Sequence, residues 1–526
     1  MDFFFHPQAI AGLLALLLLY SLWRKRTHDH KSKGMSPPEP SGAWPLIGHL
    51  PLLGAQNPLA RTLAALADNY GHIFKIRLGV YPVVVVSSWE AVKECFTTND
   101  MAFAARPICT AGKYLGYNNA GFGFASYGPY WREMRKLALL ELLSSRRLET
   151  LKQFRVSEVE ISIRELYSLT RKTDGDGPAK VVISQWIDEL TLNIIVRMIA
   201  GKRYLRNEDG AKDEEERRFR RTIKEFMYIS GASVLSDVIP FSLLKWIDFQ
   251  SHIKSMKRIS KELDSIFESW VQEHLQKGVE REKGDEQDFI DVMLSAIDDT
   301  LVCDSGYTRE TIVKATISNL ILAGSDTTSI HLTWLFSILL NNKHALKRAQ
   351  EEIDLKVGTE RWVEESDIKN LVYLQAIVKE TLRLYPPGPI AVPHEALEDC
   401  QVAGYHIPKG TRLFVNVWKL HRDPRIWLEP DKFMPERFLT SHAEVDVSGQ
   451  HFELIPFGSG RRSCPGIAFA TQVTHLTLAR LLQGFEFETP GNEPVDMTEG
   501  IGITLPKATP VEVLITPRLP LQLYEN

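Results

Sequence analysis

One cysteine near the carboxy terminus constrains this chain more than any other residue. Cys464 stands in Phe457-Gly458-Ser459-Gly460-Arg461-Arg462-Ser463-Cys464-Pro465-Gly466, among three glycines, a proline and two arginines, just before a helical stretch. Such a loop surrounds sulfur with backbone N–H groups and positive charge, and both favour the thiolate. The loop holds no second cysteine and no histidine, so a metal bound there must take its other ligands from a cofactor. Haem iron meets that condition. The loop satisfies F-x-x-G-x-R-x-C-x-G at every fixed position: Phe457, Gly460, Arg462, Cys464 and Gly466.

The other four cysteines, Cys95, Cys109, Cys303 and Cys400, lie far apart without a CxxC pair. An odd total of five fits neither a disulfide framework nor a zinc ribbon, which points to a reducing compartment and to small buried hydrophobes. With 62 Lys and Arg against 66 Asp and Glu, the net charge of −4 excludes a basic nucleic-acid binder. Hydrophobic residues at 44% suffice for a large core.

From Phe3 to Trp23 the chain is almost wholly apolar, and its 21 residues match the roughly 20 needed to cross a bilayer as a helix. Arg24, Lys25 and Arg26 follow with no small-residue cleavage site, which favours a retained anchor over a cleaved signal peptide. The basic flank places the rest of the chain in the cytosol. The expected division is an anchor over 1–26, a polar linker and proline hinge (Pro37, Pro38, Pro40) over 27–54, and one domain over 55–526.

The β-branched runs Ile73 to Leu78 and Val83 to Val86, joined through Gly79 and Pro82, predict a hairpin, and Ser87 with Glu90 predicts a capping box opening a helix. Beyond them, helical periodicity dominates, as in Leu137 to Leu151, Ile187 to Ile199, Ile259 to Leu275 and Ala345 to Val357. The expected class is mainly α with a smaller β part. The charge-dense stretches Arg206 to Arg221 and Lys277 to Asp288 read as solvated faces.

A helix of about 48 Å is expected over Glu310 to Asn341 at about 1.5 Å per residue, interrupted by Ala323-Gly324-Ser325-Asp326-Thr327-Thr328. Glycine, serine and paired threonines are poor formers there, which predicts a local distortion that frees a carbonyl and presents a hydroxyl. Glu380 and Arg383 lie i,i+3 and can pair, and Trp131 and Arg135 lie i,i+4 and suit a carboxylate.

Together these motifs resemble the cytochromes P-450, haem-thiolate monooxygenases. The Cys464 loop, Glu380-Thr381-Leu382-Arg383, Pro435-Glu436-Arg437-Phe438, the Ala323 to Thr328 segment and Trp131 with Arg135 all match family patterns. The resemblance implies the P-450 fold with an N-terminal transmembrane helix, and haem b axially ligated by Cys464. It implies a structural network of Glu380, Arg383 and Arg437, and proton delivery by Thr327 and Asp326. Trp131, Arg135, His394 and Arg462 are implied as propionate partners. Electrons come from NADPH through a membrane-bound cytochrome reductase, docking near Arg461, because no G-x-G-x-x-G is present. A single-pass protein of the endoplasmic reticulum, facing the cytosol, follows.

The hinge through Trp44 to Leu50 and the stretches Tyr114 to Asn119 and Tyr127 to Glu133 resemble plant A-type enzymes, and within them family eighty-two. Members oxidise terpenoids, flavones, coumarins and alkaloids. By analogy the substrate-facing segments are Ile108 to Phe124, Ile317 to Thr328, Ile390 to Pro393 and Ile501 to Leu505, with Asn118, Asn119 and Ser325 among the few neutral polar groups. The expected substrate is a lipophilic specialised metabolite, a terpenoid before a flavone or coumarin. Two other classes stay open: a haem-thiolate isomerase or dehydratase that does not use dioxygen, and a non-catalytic membrane scaffold. The presence of Asp326 and Thr327 counts against the first. Intact Cys464, Thr327 and Arg383 count against the second.

Overall fold

The computed structural model describes residues 34–54, 57–171, 178–204, 210–231, 234–238, 251–280 and 287–525. The apolar run Phe3 to Trp23 lies outside them, and among the described residues no helix is long and apolar enough to cross a membrane. Residues 206–209 and 281–286 of the two charge-dense stretches also lie outside.

Numbered along the chain, the strands are β1 (Ile73–Leu78), β2 (Tyr81–Val86), β3 (Ala179–Val182), β4 (His394–Glu395), β5 (Cys400–Val402), β6 (Tyr405–Ile407), β7 (Arg412–Val415), β8 (Phe485–Glu488) and β9 (Glu512–Pro517). The hairpin of β1 and β2 forms as expected, but Pro82 sits inside β2 and the chain turns at Gly79 and Val80. Val83, Val84, Val85 and Val86 are all buried, because β2 also pairs in parallel with β7. The first sheet runs β1-β2-β7-β4, and β3-β9-β8 and β5-β6 make two smaller ones. The proline hinge docks on this sheet: Lys75 N–H donates to the Pro38 carbonyl at 2.8 Å, and His49 N–H to Arg77 at 2.8 Å.

The helices that frame the interior are α1 (Trp89–Phe96), α2 (Pro129–Ala138), α3 (Lys152–Arg171), α4 (Ile183–Ala200), α5 (Gly210–Ser230), α6 (His252–Glu280), α7 (Phe289–Ala296), α8 (Arg309–Asn341), α9 (Val372–Leu384) and α10 (Ile467–Gly484). Their bulk is helical as the periodicity predicts. Two local expectations fail. The N-cap of α1 is Ser88 without a side-chain cap, because Ser87 still belongs to the strand end, where its N–H and hydroxyl both donate to the His72 carbonyl. The Leu137 to Leu151 stretch is broken: after α2 a π-helical turn covers Leu139–Leu143, and Ser144 restarts the chain by accepting from Arg147 N–H at 3.3 Å.

Helix α8 is buried nearly all round, which its apolar composition dictates. It runs unbroken for 33 residues, so the expected interruption at Ala323 to Thr328 does not appear. Gly324 serves a different need. A Cβ there would stand 3.2 Å from Ile195 Cγ1, so glycine lets α4 cross α8 closely. Of the four cysteines expected to be buried, only Cys95 is; Cys109 and Cys400 are half-buried and Cys303 is exposed. Cys109 caps a short helix instead, its sulfur accepting Gly112 N–H at 3.3 Å.

A buried ionic brace ties α6 to α7. His274 Nδ1 donates to the Trp270 carbonyl at 2.6 Å, which leaves Nε2 2.7 Å from the Asp288 carboxylate. A hydrogen bond there requires the second ring proton. Burial lowers the affinity of the ring for that proton, but the Asp288 hydrogen bond and charge outweigh it and raise the His274 pKa above its usual value. A raised histidine pKa contributes stability that is complete below the unfolded-state value, about 6.5, and is lost as pH rises through the folded-state value. His274→Gln is therefore expected to destabilise the protein by about 1.5–3 kcal/mol at pH 6 and by clearly less at pH 9. Thermal unfolding of both proteins at the two pH values checks this, and equal losses would contradict it.

Candidate active site

A cavity of about 360 Å³ lies between α8 and the Cys464 loop, within the range of small-molecule sites. Trp131, Arg135, Thr327, His394, Phe457, Arg462, Cys464 and Gly466 all line it, although they come from four separated segments. Asp326 and Gly460 do not. Gly460 adopts φ +69°, and a Cβ there would collide with the Asp100 carboxylate, so it shapes the loop from behind.

The loop is fixed by its backbone. Cys464 N–H donates to the Phe457 carbonyl at 2.8 Å, and Arg135 Nη2 to the Ser463 carbonyl at 2.7 Å. Gly466 N–H points at the sulfur from 3.3 Å. The sequence argument expected these groups to favour the thiolate outright. Burial outweighs them: it pushes the Cys464 thiol up, while the Gly466 N–H and Arg135 pull it down less. The anion needs a metal to offset its desolvation, as a coordinated thiol obtains.

The arginines show what else the cavity requires. Arg462 Cζ lies 4.6 Å and Arg135 Cζ 5.5 Å from the centre of the Trp131 ring. Arg106 joins them in the wall, donating through Nη1 to the Val392 and Pro393 carbonyls at 2.6 and 2.8 Å, while its buried Nε has no partner. Burial, with repulsion from Arg462 and Arg135, depresses the Arg106 pKa to about 9. Burial and repulsion from Arg135 bring Arg462 to about 10. Among the described residues no aspartate or glutamate lines the cavity to answer these charges. A group carrying carboxylates at one edge and accepting a thiolate at its centre fits this donor set, and haem is such a group.

His394 is turned differently from the expectation. Nδ1 faces the Phe103 carbonyl at 2.7 Å and is therefore the protonated nitrogen. Burial, then Arg106 and Arg462, hold the ring far below its usual pKa, so it is neutral and presents Nε2 as an acceptor. As it stands, His394 has no donor for a carboxylate.

On the opposite wall, Thr327 hydroxyl donates back to the Ala323 carbonyl at 2.6 Å. Asp326 turns away from the cavity, its carboxylate accepting Thr504 hydroxyl at 3.2 Å. Burial raises its pKa to about 6. That value lets it take and release protons near neutrality.

These features decide the comparison with known proteins. The family model described as Cytochrome P450 matches residues 37–512. The chain belongs to the cytochrome P450 family. As a P450 it is a haem-thiolate oxidoreductase of the monooxygenase type, supplied with electrons from NADPH by a reductase. It is 57% identical to a vinorine hydroxylase from Rauvolfia serpentina, covering 98% of both chains. It is 52% identical to the nicotine N-demethylase CYP82E4 of Nicotiana tabacum, covering 99% of this chain and 100% of that one. It is also 52% identical to the xanthotoxin 5-hydroxylase CYP82C4 of Arabidopsis thaliana, over 97% and 98%. The resemblance to family eighty-two holds. A zebrafish P450 structure with abiraterone superposes with TM-score 0.70 at 25% identity, covering 88% of this chain and 100% of that one.

The Glu380, Arg383 and Arg437 residues of this P450 meet away from the cavity, all buried. Glu380 accepts Arg383 Nε and Nη2 at 2.7 and 2.8 Å and Arg437 Nε at 3.2 Å. His421, which the sequence did not single out, connects them to the cysteine loop. Arg383 Nη1 donates to the His421 carbonyl at 2.8 Å, and Ile455 N–H donates to His421 Nε2 at 3.0 Å. Burial and the Arg383 charge lower the His421 pKa to about 3, which keeps that nitrogen an acceptor.

Several substrate-facing expectations move. Ile108 is exposed, Asn118, Asn119 and Ser325 do not line the cavity, and neither does any residue from Ile501 to Leu505. Phe122, Gly123, Asn319, Ala391 and Val392, which lie inside the expected segments, do. Arg461, expected at a docking face, is half-exposed, but its Nε pairs with Asp100 at 2.7 Å, so much of its charge is answered within the chain.

Proposed function

We propose that this P450 hydroxylates or demethylates a lipophilic plant metabolite of the alkaloid or coumarin kind. Cys464 would ligate the haem iron, and Trp131, Arg106, Arg135 and Arg462 would hold the propionates. A carboxylate beside His394 Nε2 would offset the repulsion from the arginines and favour the protonated ring, which then could donate. The observation that carries this reading is one cavity with a cysteine sulfur in one wall, a threonine hydroxyl in the other, and three arginines at its side that meet no carboxylate among the described lining residues. When bound, the haem supplies dioxygen activation, to which the thiolate contributes electron density.

The chain's own residues orient the substrate, exclude water and move protons. Thr327 would pass a proton from its hydroxyl into the cavity, and Asp326 would recharge it from solvent. Glu380, Arg383 and Arg437 would act as structure only. The relatives' names support vinorine-, nicotine- or xanthotoxin-like substrates over the terpenoid that the sequence suggested. An N-terminal anchor in the endoplasmic reticulum, with the described residues in the cytosol beside the reductase, completes the reading.

Membranes carrying the protein, NADPH and a mixed panel of alkaloids, coumarins, flavones and terpenoids test the substrate class; turnover confined to terpenoids or flavones would overturn it. With a turned-over substrate in hand, Thr327→Ala is expected to lower product formed per NADPH consumed by about 10²-fold or less, the lower reach of a positioned proton donor. Unchanged coupling would remove Thr327 from proton delivery.

A further inference from the structure

Asp188, on α4, belongs to none of the motifs, yet three helices meet at its carboxylate. One oxygen accepts the hydroxyl of Ser329 on α8, and the other pairs with Lys224 Nζ on α5. Ser329 follows Asp326 by three residues, so the two share one side of α8. Ser329 is buried, whereas the Asp188 side chain keeps 28% of its surface exposed and Lys224 62%. The group therefore leads from water to the flank of α8, and none of its three members lines the cavity.

Asp188 and Lys224 are also the two charges that act on the Asp326 carboxyl. Burial raises its proton affinity most, the Asp188 charge adds to that rise, and Lys224 opposes it. The hydroxyl of Thr504 reaches Asp326 from Ile501 to Leu505, a segment without charge. Charges on other elements packed against α8 are answered elsewhere. Glu189 of α4 pairs with Arg220 of α5, Asp264 and Glu268 of α6 pair with Lys314, and Glu380 of α9 pairs with Arg383. Burial holds the ring of His331 on α8 at about 3 and that of His475 on α10 at about 4, so both are neutral where Asp326 titrates.

We propose that Asp188 is a positioning residue for proton supply in this P450, its charge fixed by Ser329 and Lys224 so that Asp326 rebinds a proton from the adjacent solvent edge. A proton that Asp326 releases towards Thr327 leaves the carboxyl anionic, and water supplies the replacement. A second anion at its flank makes that rebinding more favourable, and Lys224 sets how far. This rests on the reading of Asp326 and Thr327 as the proton route. An exposed ion pair adds little stability, so a merely structural role would leave little trace of these two residues in the titration of Asp326.

Infrared titration of the haem-loaded full chain, without substrate, tests this through the C=O stretch of protonated Asp326, identified as the band that Asp326→Asn lacks. Asp188→Asn keeps an acceptor for Ser329 and removes the charge. It is expected to move the Asp326 midpoint down by about 0.5–1 pH unit, the scale of one charge screened at the edge of a protein. Lys224→Gln removes the opposite charge and should move the midpoint up by about as much. In turnover with NADPH and an accepted substrate, the pH at which product formed per NADPH falls by half should follow the midpoint in each variant. Opposite shifts cannot arise from a shared loss of packing. A midpoint that Asp188→Asn leaves in place, or that both variants move the same way, would overturn the role of Asp188. Midpoints that move as expected while coupling keeps its wild-type pH dependence would instead overturn Asp326 as the proton source, and the proposal with it.

Discussion

Cys464→Ser is expected to fold, to bind haem weakly or not at all, and to lose the red-shifted carbon-monoxide Soret band of the reduced wild type completely. Among the described residues the side chain of Cys464 has one polar contact, the Gly466 N–H, which a serine oxygen also accepts. The backbone bonds through Cys464 N–H and the Ser463 carbonyl do not involve the side chain. Little stability therefore depends on sulfur itself. The metal bond does, because a serine hydroxyl is a far weaker acid than a thiol and burial already disfavours the charge at this position. Difference spectra of membranes carrying either protein, normalised to the amount of folded chain, provide the measurement. A serine variant that retained the band would remove Cys464 as the ligand, and the monooxygenase chemistry assigned to this cavity would fall with it.

What the sequence revealed follows from where the information is stored. Phe457, Arg462, Cys464 and Gly466 fall within ten residues, and the loop that they form is set by local hydrogen bonds, so they were legible together. Thr327 was legible for its residue type, but the helix break was not there. Serine and threonine hydroxyls at Ser325 and Thr327 bond back to the Ile321 and Ala323 carbonyls, and α8 absorbs them under tertiary packing. Arg106 was missed because nothing local marks it. Its partners are the carbonyls of Val392 and Pro393, reached only after the chain has folded. Asn118 and Asn119 were assigned to the pocket by analogy with the family's substrate-facing segments, yet they lie with Tyr117 in three consecutive left-handed conformations that turn them elsewhere, with the Asn118 carbonyl accepting the Tyr307 hydroxyl at 2.9 Å. The analogy names the residues of a segment. It does not give the side that faces inward, so Ile317 to Thr328 was identified without Asn319 being singled out within it.

The second large effect is expected at Glu380. Its carboxylate receives Arg383, Arg437 and, at 2.9 Å, Met434 N–H, with none of it exposed. Glu380→Gln keeps the volume and removes the charge, leaving two buried guanidinium groups without an anion. Breaking one partner of a buried ion pair costs about 3–5 kcal/mol. Against a total stability of about 5–15 kcal/mol, that is enough to deplete folded protein. Arg383→Lys should cost a similar amount, since an ammonium cannot reproduce the fork to Glu380 together with the bonds to the His421 and Pro430 carbonyls at 2.8 and 2.6 Å. The loss would reach the haem site by a traceable route. Arg383 holds His421, His421 receives Ile455 N–H, and Ile455 leads into the strand of chain that ends at Cys464. Haem-loaded protein should therefore fall further than total protein in both variants, and whatever survives should unfold at lower temperature. Loss of total protein in step with haem-loaded protein would confine the network to global stability, and wild-type yield and unfolding temperature in Glu380→Gln would show that the buried charges are not what holds this end of the fold.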